Sequence, residues 1–96
     1  MSTKEAYKEK IEAEVDLAQA KLAELKAQAR SSAADARIKY DDQIDKLQQQ
    51  VDATRGKLKA LGEAGEDSWV QIKDSIEHTW NSLNSTIRDT VARFKK

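Results

Sequence analysis

Residues 30–35, Arg30-Ser31-Ser32-Ala33-Ala34-Asp35, determine whether this chain makes two helices or three, because an apolar stripe enters the segment on one side and resumes on the other. Upstream the stripe is Ile11, Val15, Ala18, Leu22, Leu25 and Ala29, in alternating steps of four and three, the seam of a helix that pairs with another helix. Downstream it continues through Ala36, Tyr40, Ile44, Leu47, Val51, Leu58 and Leu61, with Thr54 as its polar member. Charged residues fill the other faces. From Val15 the equivalent positions fall at Leu22, Ala29, Ala36, Ile44, Val51 and Leu58, a repeat of about 3.6 residues per turn, near the undistorted helix value. One straight helix over about residues 4–61 therefore keeps the whole stripe on a single face. The segment has no Gly or Pro and is rich in Ala, the best helix former, so continuity is the expectation. The alternative is a turn at residues 31–35, with Ser32 as N-cap and Asp35 as an acidic variant of a capping box.

A second break lies at Leu61-Gly62-Glu63-Ala64-Gly65-Glu66-Asp67-Ser68. Gly62 reads as a left-handed helix stop, and Asp67 or Ser68 as the cap of the next helix. Beyond it Trp69, Ile72 and Ile76 are followed eleven residues later by Trp80, Leu83 and Ile87, and then by Val91 and Phe94. That period, about 3.67 residues per turn, marks a straight amphipathic helix over about residues 67–95. Arg93, Lys95 and Lys96 suit its negative end. The expected fold is thus all-α: a long antiparallel helical hairpin or coiled coil, with the corner at 62–67, forming one domain over residues 1–96. Lengths of ~87 Å and ~43 Å leave half of the first helix uncovered, so the hairpin predicts self-association into a homodimer or higher homo-oligomer. A turn at 31–35 gives instead a three-helix bundle that is complete as a monomer.

Composition narrows the function. The 17 Lys+Arg balance the 17 Asp+Glu, so no basic field exists to hold nucleic acid. Cysteine is absent, which excludes disulfides, thiol nucleophiles and Cys-based zinc sites. MSTKEAYKEKIEAE is charged throughout, with no apolar leader, and no apolar run approaches a membrane span, so a cytoplasmic protein is expected. His78 is the one histidine; Asp74 shares its helical face, but no Glu-x-x-His pair accompanies them and no metal or cofactor is expected. Asp35 with Lys39, Asp42 with Lys46 and Asp89 with Arg93 read as ordinary i,i+4 helix support. Gly62-x-x-Gly65 lacks the Lys-Ser/Thr of a phosphate cradle. No catalytic residues emerge, and an enzyme is not expected.

The last helix has the one feature with a functional edge. Its stripe of Trp69, Ile72, Ile76, Trp80, Leu83, Ile87, Val91 and Phe94 lies under a face rich in Ser68, Ser75, Thr79, Ser82, Ser85, Thr86 and Thr90. Such a helix serves either as core, packed on its neighbour, or as a lipid-packing sensor on a membrane surface. Ile38, off the main seam, extends the apolar surface.

MSTKEAYKEKIEAEVDLAQAKLAELKAQA, ADARIKY and VDATRGKLKALGEAGEDSWVQIKDSIEHTW together resemble a family of small bacterial coiled-coil proteins often labelled as stress-response proteins. The similarity spans nearly the whole chain and rests on the seam, the Leu-Gly-Glu-Ala-x-Glu-Asp-x-Trp corner and the paired tryptophans. It implies a helical, self-associating protein and transfers no functional residues. The expected function is structural or stress-protective, exercised through the Ile11 to Leu61 seam. The alternatives are a peripheral lipid-binding protein using residues 69–94, or an adaptor whose seam captures another protein's helix.

Overall fold

The computed structural model describes residues 3–94, which form three α-helices: α1 (Thr3–Arg30), α2 (Ala34–Glu63) and α3 (Trp69–Phe94). The all-α class is as expected, and of the two architectures the three-helix bundle is the one formed. The continuous helix over 4–61 is interrupted at Ser31–Ala33, and the molecule measures 51 × 19 × 16 Å, far shorter than a ~87 Å rod. Local propensity for helix loses here to tertiary closure. Turning back lets α1 and α2 bury their seams against each other within one chain, and that gain exceeds the few helical hydrogen bonds given up.

The turn is built without glycine or proline. Ser31 donates from its backbone N–H (3.2 Å) and from Oγ (2.8 Å) to the carbonyl of Gln28, and the Ser32 N–H donates to Ala29 (3.1 Å). Ser32 Oγ also reaches back to Gln28 O at 3.3 Å. These donors occupy the open carbonyls at the end of α1. Ser32 is therefore spent on the helix before it, and the capping box with Asp35 does not form. The N-cap of α2 is Ala33, extended at φ −60°, ψ 151°, with no side-chain cap hydrogen bond.

The second corner also differs from expectation. No described residue, glycine included, has positive φ. The helix α2 runs through Gly62 to Glu63 and stops at Ala64, extended at φ −75°, ψ 147°, whose N–H donates to Leu61 O at 3.2 Å. Lys4 Nζ crosses from α1 to Ala64 O (2.9 Å) and Gly62 O (3.4 Å), a cation on the exposed carbonyls at the negative end of α2. The chain turns into α3 from Gly65, whose carbonyl accepts the N–H groups of both Ser68 and Trp69 at 3.1 Å. The turn leads directly into α3, with Ser68, one of the two expected cap residues, immediately before Trp69.

The core is the stripe of each helix facing the other two. Residues Ile11, Val15, Ala18, Leu22, Leu25 and Ala29 of α1 meet Ile44, Leu47, Val51, Leu58 and Leu61 of α2, and Ile76, Trp80, Leu83 and Ile87 of α3 lie across both. Each large member, fully buried, is worth about 1.5–3 kcal/mol. Small Ala18 and Ala29 of α1 and bulky Trp80 of α3 are all buried in this core. Thr54 sits in this core with its hydroxyl donated to Gln50 O at 3.0 Å, so it buries no unpaired donor. Polar ties fix the helices lengthwise: Gln19 and Gln48 exchange two amide hydrogen bonds of 2.7 Å, and Arg55 pairs with Asp16 at 3.3 Å.

Candidate functional site

The expected self-association seam is spent inside the chain. Ile11, Val15, Ala18, Leu22, Leu25, Ala29, Ile44, Leu47, Val51, Leu58 and Leu61 are all buried in the intrachain core, and Tyr40 is half-buried against it. Apart from half-exposed Tyr40, that seam offers no face to a second subunit while the bundle is closed. The α3 stripe is placed likewise. Ile76, Trp80, Leu83 and Ile87 are buried, and Trp69, Ile72 and Val91 pack at the margin. The side chain of Phe94, like Lys95 and Lys96, lies outside the described residues. Ile38 is 71% exposed, on no shared surface with the seam.

Helix α3 is the most strongly amphipathic of the three and is held differently from α2. An ion pair joins α1 to α2, whereas the polar ties recorded for α3 are hydrogen bonds: Gln43 Nε2 to Thr90 Oγ1 (3.3 Å), Lys57 Nζ to Ser75 and Thr79 Oγ (3.2 Å each), and Tyr7 OH to Lys73 O (3.5 Å). Its hydroxyl face is partly self-satisfied. Thr79, Thr86 and Thr90 each donate to the carbonyl four residues back, Ser75, Ser82 and Thr86, at 2.9–3.0 Å. Beneath that face an open groove of about 510 Å³ separates α2 from α3, floored by Leu47 and Leu83 and walled by Gln43, Gln50, His78 and Ser82. In the middle of the stripe, Trp80 is 1% exposed and its indole N–H has no hydrogen-bond partner.

At the opposite edge of α3, Tyr7 closes the bundle end. Its ring lies 6.4 Å from Trp69, tilted by 43°, with Lys73 Nζ 5.6 Å from the ring centroid. Burial, reinforced by the carboxylates of Glu77, Glu14 and Asp74, pushes the Tyr7 hydroxyl up to about 12. One oxygen of Glu14 is itself buried without a donor. Tyr7 escaped the sequence reading although it stands four residues before Ile11, on the seam's own phase. Thr90, expected on the polar face, is buried in the α3 stripe. The glutamine pair and the Lys57 cluster carry no periodic signal.

Chemistry is sparse. His78 and Asp74 are both exposed, and among the described residues no group of three His, Cys, Asp or Glu side chains could hold a metal ion. Of the three expected i,i+4 pairs, Asp42–Lys46 closes at 3.2 Å. No helix among the described residues is long and apolar enough to cross a membrane. No protein family, curated protein or solved structure matches this chain.

Proposed function

We propose that this is a non-enzymatic coiled-coil protein, cytoplasmic, whose role is structural or stress-protective and is exercised through self-association. The observation that supports it is the single phase of the seam. The residues that close α1 on α2 inside one chain also fall on one face of an uninterrupted helix, so two chains can pair them as one does. The protective role draws on the resemblance to stress-labelled bacterial coiled coils. Absolute molar mass by light scattering over a concentration series tests the proposal. A rise from 10.8 kDa toward twice that value supports it, and a mass of 10.8 kDa at every concentration refutes it.

A second reading, attachment of α3 to a lipid surface, is favoured by the unpartnered indole N–H of Trp80. A buried donor without an acceptor costs about 1–3 kcal/mol, which a membrane interface relieves by hydrating the N–H while keeping the ring in apolar surroundings. The hydroxyls of Thr79 and Thr86, already bonded to their own helix, lower the cost of moving that face. Vesicles of zwitterionic lipid with brominated acyl chains report on it. Quenching of tryptophan emission supports insertion, and full emission with no co-sedimentation rejects it. Phe is the appropriate control at position 80, because a smaller residue there empties the core.

A further inference from the structure

We infer that the turn at Ser31–Ala33 is a hinge, and that a second copy of this chain binds by opening it, so that α1 and α2 fuse into one helix and each chain's α1 docks on its partner's α2 and α3. This deepens the self-association reading and rests on it.

Four observations carry the inference. The seam keeps its helical phase across the turn, from Val15 through Leu22, Ala29 and Ala36 to Ile44, which the closed bundle does not require. The turn has no residue that forbids helix: no Gly, no Pro, no positive φ, and no like charges four apart across residues 27–37. The first turn of α2 has no capping side chain, so its leading N–H groups gain partners when the helix continues through Ala33. Finally, the pairings Gln19 with Gln48 and Asp16 with Arg55 have midpoints within residues 33–36. Exchanged between two antiparallel chains, the same contacts put the two-fold axis there, where Ala33, Ala34 and Ala36 let two helices approach closely.

The α1·α2 and α1·α3 interfaces of the closed bundle are then rebuilt between chains, while α2 and α3 stay packed within each chain. Leu22, Leu25, Leu47, Val51, Trp80 and Leu83 bury the same surfaces, and the new elements are helix at 31–33 and the crossing of the two fused helices at Ala33, Ala34 and Ala36. Short turns favour such exchange, because a few residues decide between the two states. The fused helix of residues 3–63 spans about 90 Å.

Two variants move the equilibrium in opposite directions. Ala33→Pro suits the closed turn, where Ala33 already has φ −60°, and breaks a helix that runs through it. Dimer affinity is expected to fall by about a hundredfold or more. Ser31→Ala with Ser32→Ala removes the hydroxyls that hold the turn and raises helix propensity, strengthening the dimer roughly tenfold.

The test is light scattering on wild type and both variants, with resonance energy transfer between dyes on Glu9→Cys and Lys59→Cys in one chain, unique sites because the protein has no cysteine. Both labels lie at the same end of the closed bundle and about 75 Å apart on an opened chain. Labelled chains are diluted into excess unlabelled protein, with helicity and melting of Ala33→Pro as the folding control. A rise in mass with matching loss of transfer, abolished in the folded Ala33→Pro variant, supports the hinge. Doubled mass with full transfer means that closed subunits dock face to face, which overturns the hinge and leaves self-association standing. Monomeric wild type and monomeric Ser31→Ala/Ser32→Ala protein overturn both.

Discussion

Replacing Trp80 discriminates between a core that merely needs volume and one strained by an unpaired donor. Trp80 is 1% exposed at the centre of α3, and its Nε1–H has no acceptor. Trp80→Phe removes roughly 50 Å² of side-chain surface, a loss of about 1.2 kcal/mol at 25 cal/mol per Å², with a further contribution from the space left behind. It also removes the orphaned N–H, a gain of about 1–3 kcal/mol. The two effects oppose each other, and the net change is expected within about 1 kcal/mol of wild type. Trp80→Ala also removes the donor but forfeits the whole ring, and should cost about 3–5 kcal/mol. Urea unfolding followed by helical circular dichroism gives both values, compared as midpoints at constant slope. A loss near 3 kcal/mol for Trp80→Phe would refute the reasoning, since the indole N–H must then make a bond whose loss is felt.

Other consequences follow from burial, helix geometry and charge. Gly56 is exposed within α2, with nothing within 4 Å of an added Cβ, so Gly56→Ala should stabilise by about 1 kcal/mol, measured by the same urea midpoints. Leu22→Asp with Leu25→Asp, expected from a hairpin to leave a folded monomer, should abolish the helical signal, because both positions are 1% exposed inside the single-chain core. Tyr7 is raised to about 12 in the fold against 10.0 for the free side chain. Its contribution is therefore complete below pH 10 and lost as pH rises through about 12; Tyr7→Phe should flatten the decline in melting temperature over that window.

The sequence exposed the stripes but hid where the chain turns. Seam positions from Ile11 to Leu61 and the α3 stripe from Ile76 to Ile87 are core because period and burial coincide, and periodicity reads this directly. The turn at Ser31–Ala33 left no such mark. Its residues are compatible with helix, and what bends the chain there is contact between α1 and α2, which no local window contains. At Gly62 the balance between local signal and tertiary contact tips the same way, but toward more helix. A strong local stop signal was overridden, the helix reaching Glu63, with Lys4 from a distant part of the chain supplying the carbonyl partners. The Ser32 cap of α2 is lost for a related reason: Ser32 has two helices to serve and serves α1. The groove between α2 and α3 and the Tyr7 corner arise from which helices become neighbours, and a single stripe does not specify that.

The reciprocal amides of Gln19 and Gln48 act as a vernier between two otherwise forgiving rods. Leucines, valines and alanines on α1 and α2 would still meet greasy neighbours if one helix slid by a full heptad, so apolar burial alone tolerates several alignments. An amide pair does not. A slip of one turn, about 5.4 Å, strands two donors and two acceptors in a half-buried place. This directional lock, set in an interface made of interchangeable parts, selects one alignment from many and keeps that choice whether the two glutamines belong to one chain or to two.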